Sequence, residues 1–317
     1  MADEKKFEGW PHIVEAQQFS REWLEKIFFP LTDEMKDVFL ARGSQALADK
    51  RMVSFFYEPS TRTRMRFELA MDYLGGRVVF STENAREFSS AKKGETLRHT
   101  IRVINRYRPD VIVLRYDQKD GAKIAADASG VPIINAGDRE PGQHPTQALL
   151  DIYTILKKIG KIDGLSIAMV GDLAKGRTVR SLSYLLGKFD DIKIYYVSPE
   201  SSQMGEDVKD YLRRHNAWFT ESRDLREVAP LVDACYQTRT QIEVGSAIDR
   251  SDHSKGYFIV DKTVSDLMNS DAIIMHPLPL VDEITPEIDD DPKAVYLTDQ
   301  IDSGILTSMA ELKLMLF

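Results

Sequence analysis

The sequence predicts an α/β fold of two doubly wound, parallel-sheet domains joined by helices. Short β-branched and aromatic runs alternate along the whole chain with segments of helical spacing, the pattern of parallel sheets flanked by helices. Most of those runs are continuously apolar rather than alternating, as expected for strands buried on both faces. The alternation occurs as two series, and 317 residues suit two domains of ordinary size better than one.

In the first series the strand candidates are Met52–Tyr57, Val78–Ser81, Val111–Tyr116 and Val131–Asn135. After Gly164 they resume as Leu165–Val170, Ile192–Val197, Ala234–Gln237, Phe258–Val260 and Ala272–Met275. Helical spacing falls between them at Met65–Tyr73, Thr96–Tyr107 and Arg177–Leu186. A further helix, Thr146–Lys158, joins the two series and opens at His144-Pro145, where the missing proline N–H is harmless. Ile305–Phe317 reads as a last amphipathic helix. No low-complexity segment or short repeat interrupts the pattern.

Hydrophobic residues at 43% and charged residues at 29% give the balance of a soluble globular protein with a substantial core. The N-terminal Met-Ala-Asp-Glu-Lys-Lys lacks the apolar stretch of a signal peptide, and no run could span a bilayer, so no membrane is expected. A single cysteine, Cys235, excludes an internal disulfide and a Cys-cluster metal site, which points to a reducing, cytoplasmic setting. The six histidines include no pair at helical ligand spacing, and no metal is expected.

A net charge of −8 argues against nucleic acid as a partner. The charge is uneven, however. From Arg51 to Arg115 there are 13 Lys/Arg against 7 Asp/Glu, a local balance of +6, which suits an anionic small substrate.

Four motifs in the first half could serve such a substrate. Ser60-Thr61-Arg62-Thr63-Arg64 follows a buried strand and opens a helix, with Ser60 placed as N-cap. A capping serine with solvated arginines is the plainer reading of such a stretch. Two threonines interleaved with two arginines at a helix N-terminus favour a phosphate site instead. Ser89-Ser90-Ala91-Lys92-Lys93-Gly94 is a loop able to approach an anion, a weak signal alone. Arg115 ends a strand, on the side where open parallel sheets bind ligands. His144-Pro145-Thr146-Gln147 lies between a strand end and a helix start; a lone histidine is more often structural, but this placement favours a site.

In the second half, Val170-Gly171-Asp172 through Arg177 forms another strand, glycine turn and helix. It is not a G-x-G-x-x-G and no acidic residue is placed for a ribose, so a dinucleotide site is rejected. Arg239-Thr240-Gln241 and His276-Pro277-Leu278-Pro279 each follow a strand, and the two prolines fix the direction of the carbonyls near Leu278.

Taken together, Phe55 through Arg64, Lys93-Gly94-Glu95, His144 through Gln147, Arg177, Arg239-x-Gln241 and His276 through Pro279 resemble the aspartate/ornithine carbamoyltransferase family along nearly the whole chain. His-Pro-Leu-Pro, rather than the ornithine branch's His-Cys-Leu-Pro, looks like the aspartate side. The resemblance implies a carbamoyl-phosphate domain over 1–147, closed by the C-terminal helix 304–317, and an aspartate domain over 148–303. It implies that Ser60, Thr61, Arg62 and Thr63 hold the phosphate, and that Thr63, Arg115 and His144 polarise the carbonyl. Gln147 and the backbone carbonyls of Leu278 and a flanking proline (Pro279) would bind the amide. Arg177, Arg239 and Gln241 would hold the aspartate carboxylates. Ser89 and Lys93 would come from the neighbouring subunit of a homotrimer. No metal or cofactor is implied, and a separate regulatory chain is left open.

Three departures stand out. The family pattern usually carries arginine where Leu280, Val244 and Ser308 stand here, all in the acceptor-side half, and arginine is not replaced conservatively by these residues. Three functions therefore stay open at this stage: an aspartate carbamoyltransferase, a related transferase with another amino-acid acceptor, and a weakly active homologue kept as a binding or assembly subunit.

Overall fold

The computed structural model describes residues 11–139, 142–239 and 258–317. The chain divides into one unit of Met1–Leu149 with Gly304–Phe317 and a second of Leu150–Ser303. In the first, β1 (Arg51–Phe56), β2 (Arg77–Thr82), β3 (Val111–Tyr116) and β4 (Ile133–Asp138) form a parallel sheet in the order β2-β1-β3-β4. In the second, β5 (Ser166–Val170), β6 (Lys193–Val197), β7 (Trp218–Ser222), β8 (Ala234–Gln237) and β9 (Ile273–Met275) form another, in the order β7-β6-β5-β8-β9. Helices Thr61–Tyr73, Leu97–Arg106 and Gly121–Ala128 make the crossovers of the first sheet, and Arg177–Leu186 and Glu206–Arg214 make the first two of the second.

The central strands earn their place by burial. Ile112 and Leu114 in β3 and Ile167 in β5 have no exposed surface, and each such side chain contributes about 1.5–3 kcal/mol on leaving water. The edge strands β2 and β7 differ from the expectation of strands covered on both faces, while the edges β4 and β9 are buried. In β2, Val79 and Phe80 are about half exposed.

Several elements depart from the sequence reading, among them β4, which is shifted to Ile133–Asp138, and three others. β7 is absent from that reading, because Trp-Phe-Thr-Glu-Ser is half polar; it is an edge strand paired only with β6, so one side stays open to polar residues. Phe258–Val260 is not a strand: Val260 makes a single parallel bridge with Ile284. The C-terminal helix runs Asp299–Leu316 and starts before Ile305, since its polar first turn hides from an apolar periodicity.

Both strand orders place a topological switch point. In the first sheet the chain leaves β1 toward β2 but later adds β3 on β1's other side, so the switch lies between β1 and β3. In the second it lies between β5 and β8. Ligands of open parallel sheets bind beyond the strand C-termini at such points.

Candidate active site

At the first switch point β1 ends at Phe56, in register with Arg115 of β3. The Tyr57 N–H donates to the Arg115 carbonyl at 2.8 Å, which extends the ladder by one residue before the chain turns at Glu58-Pro59 into helix Thr61–Tyr73. Ser60 occupies the N-cap position, but its hydroxyl does not cap the helix. It accepts a hydrogen bond from Arg115 Nη1 at 3.3 Å instead. The sequence reading of Ser60 as a side-chain cap is thus corrected: the strand neighbour claims the hydroxyl, leaving the helix's first N–H groups for an anion.

Glu58 lies 3.5 Å from Arg115 Nε, so this guanidinium is held between Glu58 and Ser60. Arg64 is engaged with Glu68 at 3.8 Å and Glu83 at 3.5 Å. Arg62 is exposed and has no ion pair among the described residues. Of the two arginines in the motif, Arg62 is therefore the one available to a ligand. Thr63 is buried and Thr61 exposed.

His144 precedes helix Pro145–Ile159, and its carbonyl accepts the N–H groups of Gln147 at 3.0 Å and Ala148 at 3.1 Å. Both His144 and Gln147 are buried. The His144 ring stands 3.2 Å from the Thr146 hydroxyl, which also accepts from Arg66 Nη2 at 3.1 Å. Ser89 and Lys93 lie on a separate loop. The Ser89 hydroxyl accepts from the Ala91 N–H at 3.1 Å, Gly94 takes the left-handed turn that ends the loop, and Lys93 is exposed.

At the second switch point Gly171, at φ +120°, lets β5 pass close to β8: a Cβ there would meet the Thr238 carbonyl at 2.6 Å. Thr238 answers with N–H and hydroxyl hydrogen bonds to the Val170 carbonyl, both 2.8 Å. Arg177 is the first residue of its helix and Arg239 follows β8 with its side chain exposed. The loop between them is steadied by Asp172, which accepts from the Lys175 N–H at 3.2 Å and donates its own N–H to the Arg239 carbonyl at 3.3 Å. Burial pushes the Asp172 carboxyl above its ordinary value, against the backbone N–H of Lys175. Gln241 and Val244 lie outside the described residues.

After β9, Leu278 adopts φ +56° and the Leu278–Pro279 bond is cis. Leu280 packs against the apolar core of this unit, which accounts for a hydrophobic residue being tolerated there. Ser308 is wholly buried, and its hydroxyl has no hydrogen-bond partner among the described residues. Sequence reasoning missed Glu58, the carboxylate beside Arg115; its position inside Phe-Phe-Tyr-Glu-Pro was the available signal.

A parallel α/β enzyme with cationic side chains gathered at the switch point of each sheet is the class this fold and site define. Residues 11–157 match the carbamoyl-P binding domain of aspartate/ornithine carbamoyltransferase, and residues 163–315 match its Asp/Orn binding domain. The chain belongs to the aspartate/ornithine carbamoyltransferase family. It is 52% identical over 313 residues to the chloroplastic aspartate carbamoyltransferase of Arabidopsis thaliana, covering 98% of this chain and 79% of that relative. The catalytic subunit of M. jannaschii aspartate transcarbamoylase superposes with a TM-score of 0.87 at 40% identity, covering 96% of this chain and 97% of that one. The Trypanosoma cruzi aspartate transcarbamoylase in complex with N-(phosphonacetyl)-L-aspartic acid gives 0.88 at 36% identity, with 95% and 94% covered.

Proposed function

We propose that this chain transfers the carbamoyl group of carbamoyl phosphate to the amino group of L-aspartate, giving N-carbamoyl-L-aspartate and phosphate, a step of pyrimidine biosynthesis. The observation that carries the reading is the first switch point, where an uncommitted Arg62 and the Ser60-bound Arg115 meet a helix N-terminus. The 52% identity to an aspartate carbamoyltransferase favours this over another acceptor or an assembly role.

Each residue then has a task. Ser60, Thr61, Arg62 and Thr63 hold the phosphate, while Thr63, Arg115 and His144 draw electron density from the carbonyl. Gln147 and the carbonyls of Leu278 and Pro279 accept or orient the amide. Arg177, Arg239 and Gln241 hold the two carboxylates of aspartate, and Lys93 assists. The amine attacks the carbonyl carbon, a C–N bond forms, and the C–O bond to phosphate breaks. The leaving phosphate takes the amine proton. Preorganised donors stabilise the tetrahedral oxyanion, each worth on the order of 3 kcal/mol in the barrier.

Aspartate is expected to be carbamoylated faster than asparagine or alanine, because a monocarboxylate leaves one arginine without its counter-ion. With leucine at position 280, its apparent affinity is expected to be weak, and Leu280→Arg should lower the KM for aspartate. A steady-state panel of amino acids measures both. A monocarboxylic acceptor preferred over aspartate would displace this reading.

We also propose a homotrimer in which Ser89 and Lys93 reach the neighbouring copy's site. Val79, Phe80, Phe88, Val103 and Tyr107 line one groove with Ser89, and Phe88 and Tyr107 are 82% and 75% exposed. An apolar surface of this kind marks an interaction site. Mixing Lys93→Ala with Arg62→Ala chains is expected to restore activity that neither has alone. No recovery after confirmed subunit exchange would count against a shared site. A separate regulatory chain is compatible with this assembly. The lone, buried Cys235 suits a cytoplasmic setting; among the described residues no helix is long and apolar enough to cross a membrane.

A further inference from the structure

A buried chain of hydrogen bonds ends on the loop that carries Leu278. One member is Tyr236 in β8, whose hydroxyl donates to Asp151 Oδ2 at 2.6 Å. Gln300 donates from Nε2 to Asp151 Oδ1 at 2.7 Å, and its Oε1 accepts the backbone N–H of His276 at 3.0 Å. All four residues are buried. Chemistry leaves one orientation for each. The carboxylate of Asp151 only accepts, so the Gln300 amide must turn its NH2 toward it and its oxygen toward His276.

His276 passes the constraint on. Its Nδ1 accepts the Leu278 N–H at 2.7 Å, which makes Nε2 the protonated nitrogen, and Nε2 donates to Glu283 Oε1 at 2.8 Å. The other Glu283 oxygen accepts the N–H groups of Val281 at 3.2 Å and Asp282 at 3.0 Å. Burial disfavours the Glu283 carboxylate, but the His276 and backbone hydrogen bonds outweigh it and hold the group below its ordinary pKa. Leu278 is thereby kept at φ +56°, a conformation uncommon for a leucine. A wholly buried carboxylate is costly to hold, and a specified geometry is what such a group can secure.

We infer that Asp151 and Gln300 are positioning residues that, through His276, set the direction of the Leu278 carbonyl and hence the binding of the donor's amide. This rests on the reading that the Leu278 carbonyl meets that amide. Neither residue belongs to a motif that touches substrate, and 149 positions separate them in the sequence.

Exchanging the two partners tests the chain directly. Asp151→Asn alone keeps the Gln300 hydrogen bond only by turning the new amide's oxygen to Gln300 and its NH2 to Tyr236, whose hydroxyl then accepts and loses this acceptor. Gln300→Glu alone sets carboxylate against carboxylate. In the double exchange D151N/Q300E each of these hydrogen bonds can re-form. The carboxylate now at position 300 accepts from the His276 N–H and from the amide now at position 151, whose oxygen still accepts from Tyr236. Gln300→Glu alone is expected to lose about a hundredfold in kcat/KM for carbamoyl phosphate, the scale of a displaced binding group, and Asp151→Asn a smaller factor. Inhibition by inorganic phosphate, which lacks the amide, should stay at the wild-type level, and the double exchange should recover most of the loss. A Gln300→Glu variant with wild-type kcat/KM would overturn the inference. So would an equal loss of phosphate inhibition, or a double exchange no better than Gln300→Glu alone. If the single variants do not fold, Tyr236→Phe, which deletes only one hydroxyl, should show a smaller loss in the same direction; a wild-type value there would also overturn it. A wild-type chain that fails to carbamoylate aspartate would instead remove the functional reading.

Discussion

Arg62→Ala is expected to lower kcat/KM for carbamoyl phosphate by at least about a thousandfold while leaving the unfolding midpoint unchanged. Removing one preorganised donor to a developing charge typically removes about a hundred- to a thousandfold in rate, and Arg62 is proposed to act in both phosphate binding and departure. Its exposure and its lack of an ion pair among the described residues mean that the fold does not depend on it. Arg64→Ala, two residues on, is the matched control. That guanidinium is committed to Glu68 and Glu83 in partly exposed pairs, each worth at most about 1 kcal/mol, so a small stability change and near-normal turnover are expected. Steady-state kinetics and thermal unfolding on both variants separate the two roles. If Arg62→Ala keeps most of its turnover, the phosphate site has been assigned to the wrong residues.

The second large effect is on stability and arises from Glu311. This side chain lies in the C-terminal helix, fully buried, with neither carboxyl oxygen hydrogen-bonded among the described residues. Burial pushes its carboxyl from 4.5 up to about 8, with Arg66 pulling weakly the other way. The unfolded chain ionises this group near 4.5, whereas the folded chain holds the proton until about 8. Its contribution is therefore fully present below pH 4.5 and is lost as pH rises toward 8, at about 1.4 kcal/mol per pH unit. At pH 7 that loss amounts to about 3 kcal/mol. Glu311→Leu is expected to recover about that much at pH 7 and to flatten the pH dependence between about 5 and 8. Glu311→Gln should flatten it too, with a smaller gain because the amide still lacks partners. Denaturant unfolding across that window measures both. A wild-type profile as flat as that of Glu311→Leu would show that this carboxyl is not held dry in the folded chain.

Much of the architecture was legible in the residues themselves. Continuous apolar runs such as Val111–Leu114 and Ile167–Val170 suit strands covered on both faces, and the helical segments between them suit parallel crossovers. The candidate site was legible for the same local reason: Ser60-Thr61-Arg62-Thr63 and Arg177 each follow a strand and open a helix, so their placement at a sheet's C-terminal edge follows from chain order. Edge strands were read less well. β7 escaped because a strand with one neighbour has no need of a continuous apolar run.

What the tertiary structure alone decided was which polar groups are spoken for. Arg64 has Glu68 one helical turn on, but only the fold adds Glu83 from the end of the neighbouring strand, while Arg62 is left without an ion pair among the described residues. Ser60 reads as a helix cap until Arg115, 55 positions away, claims its hydroxyl. Asp151, Tyr236 and Gln300 carry no motif at all and become one hydrogen-bonded chain only when helix, strand and helix converge. Glu311 reads as an ordinary helical glutamate whose burial no periodicity announces. Secondary structure depends on residues a few positions apart, which a sequence displays. Hydrogen-bond partners and desolvation depend on residues far apart in the chain, and only the packed fold brings those together.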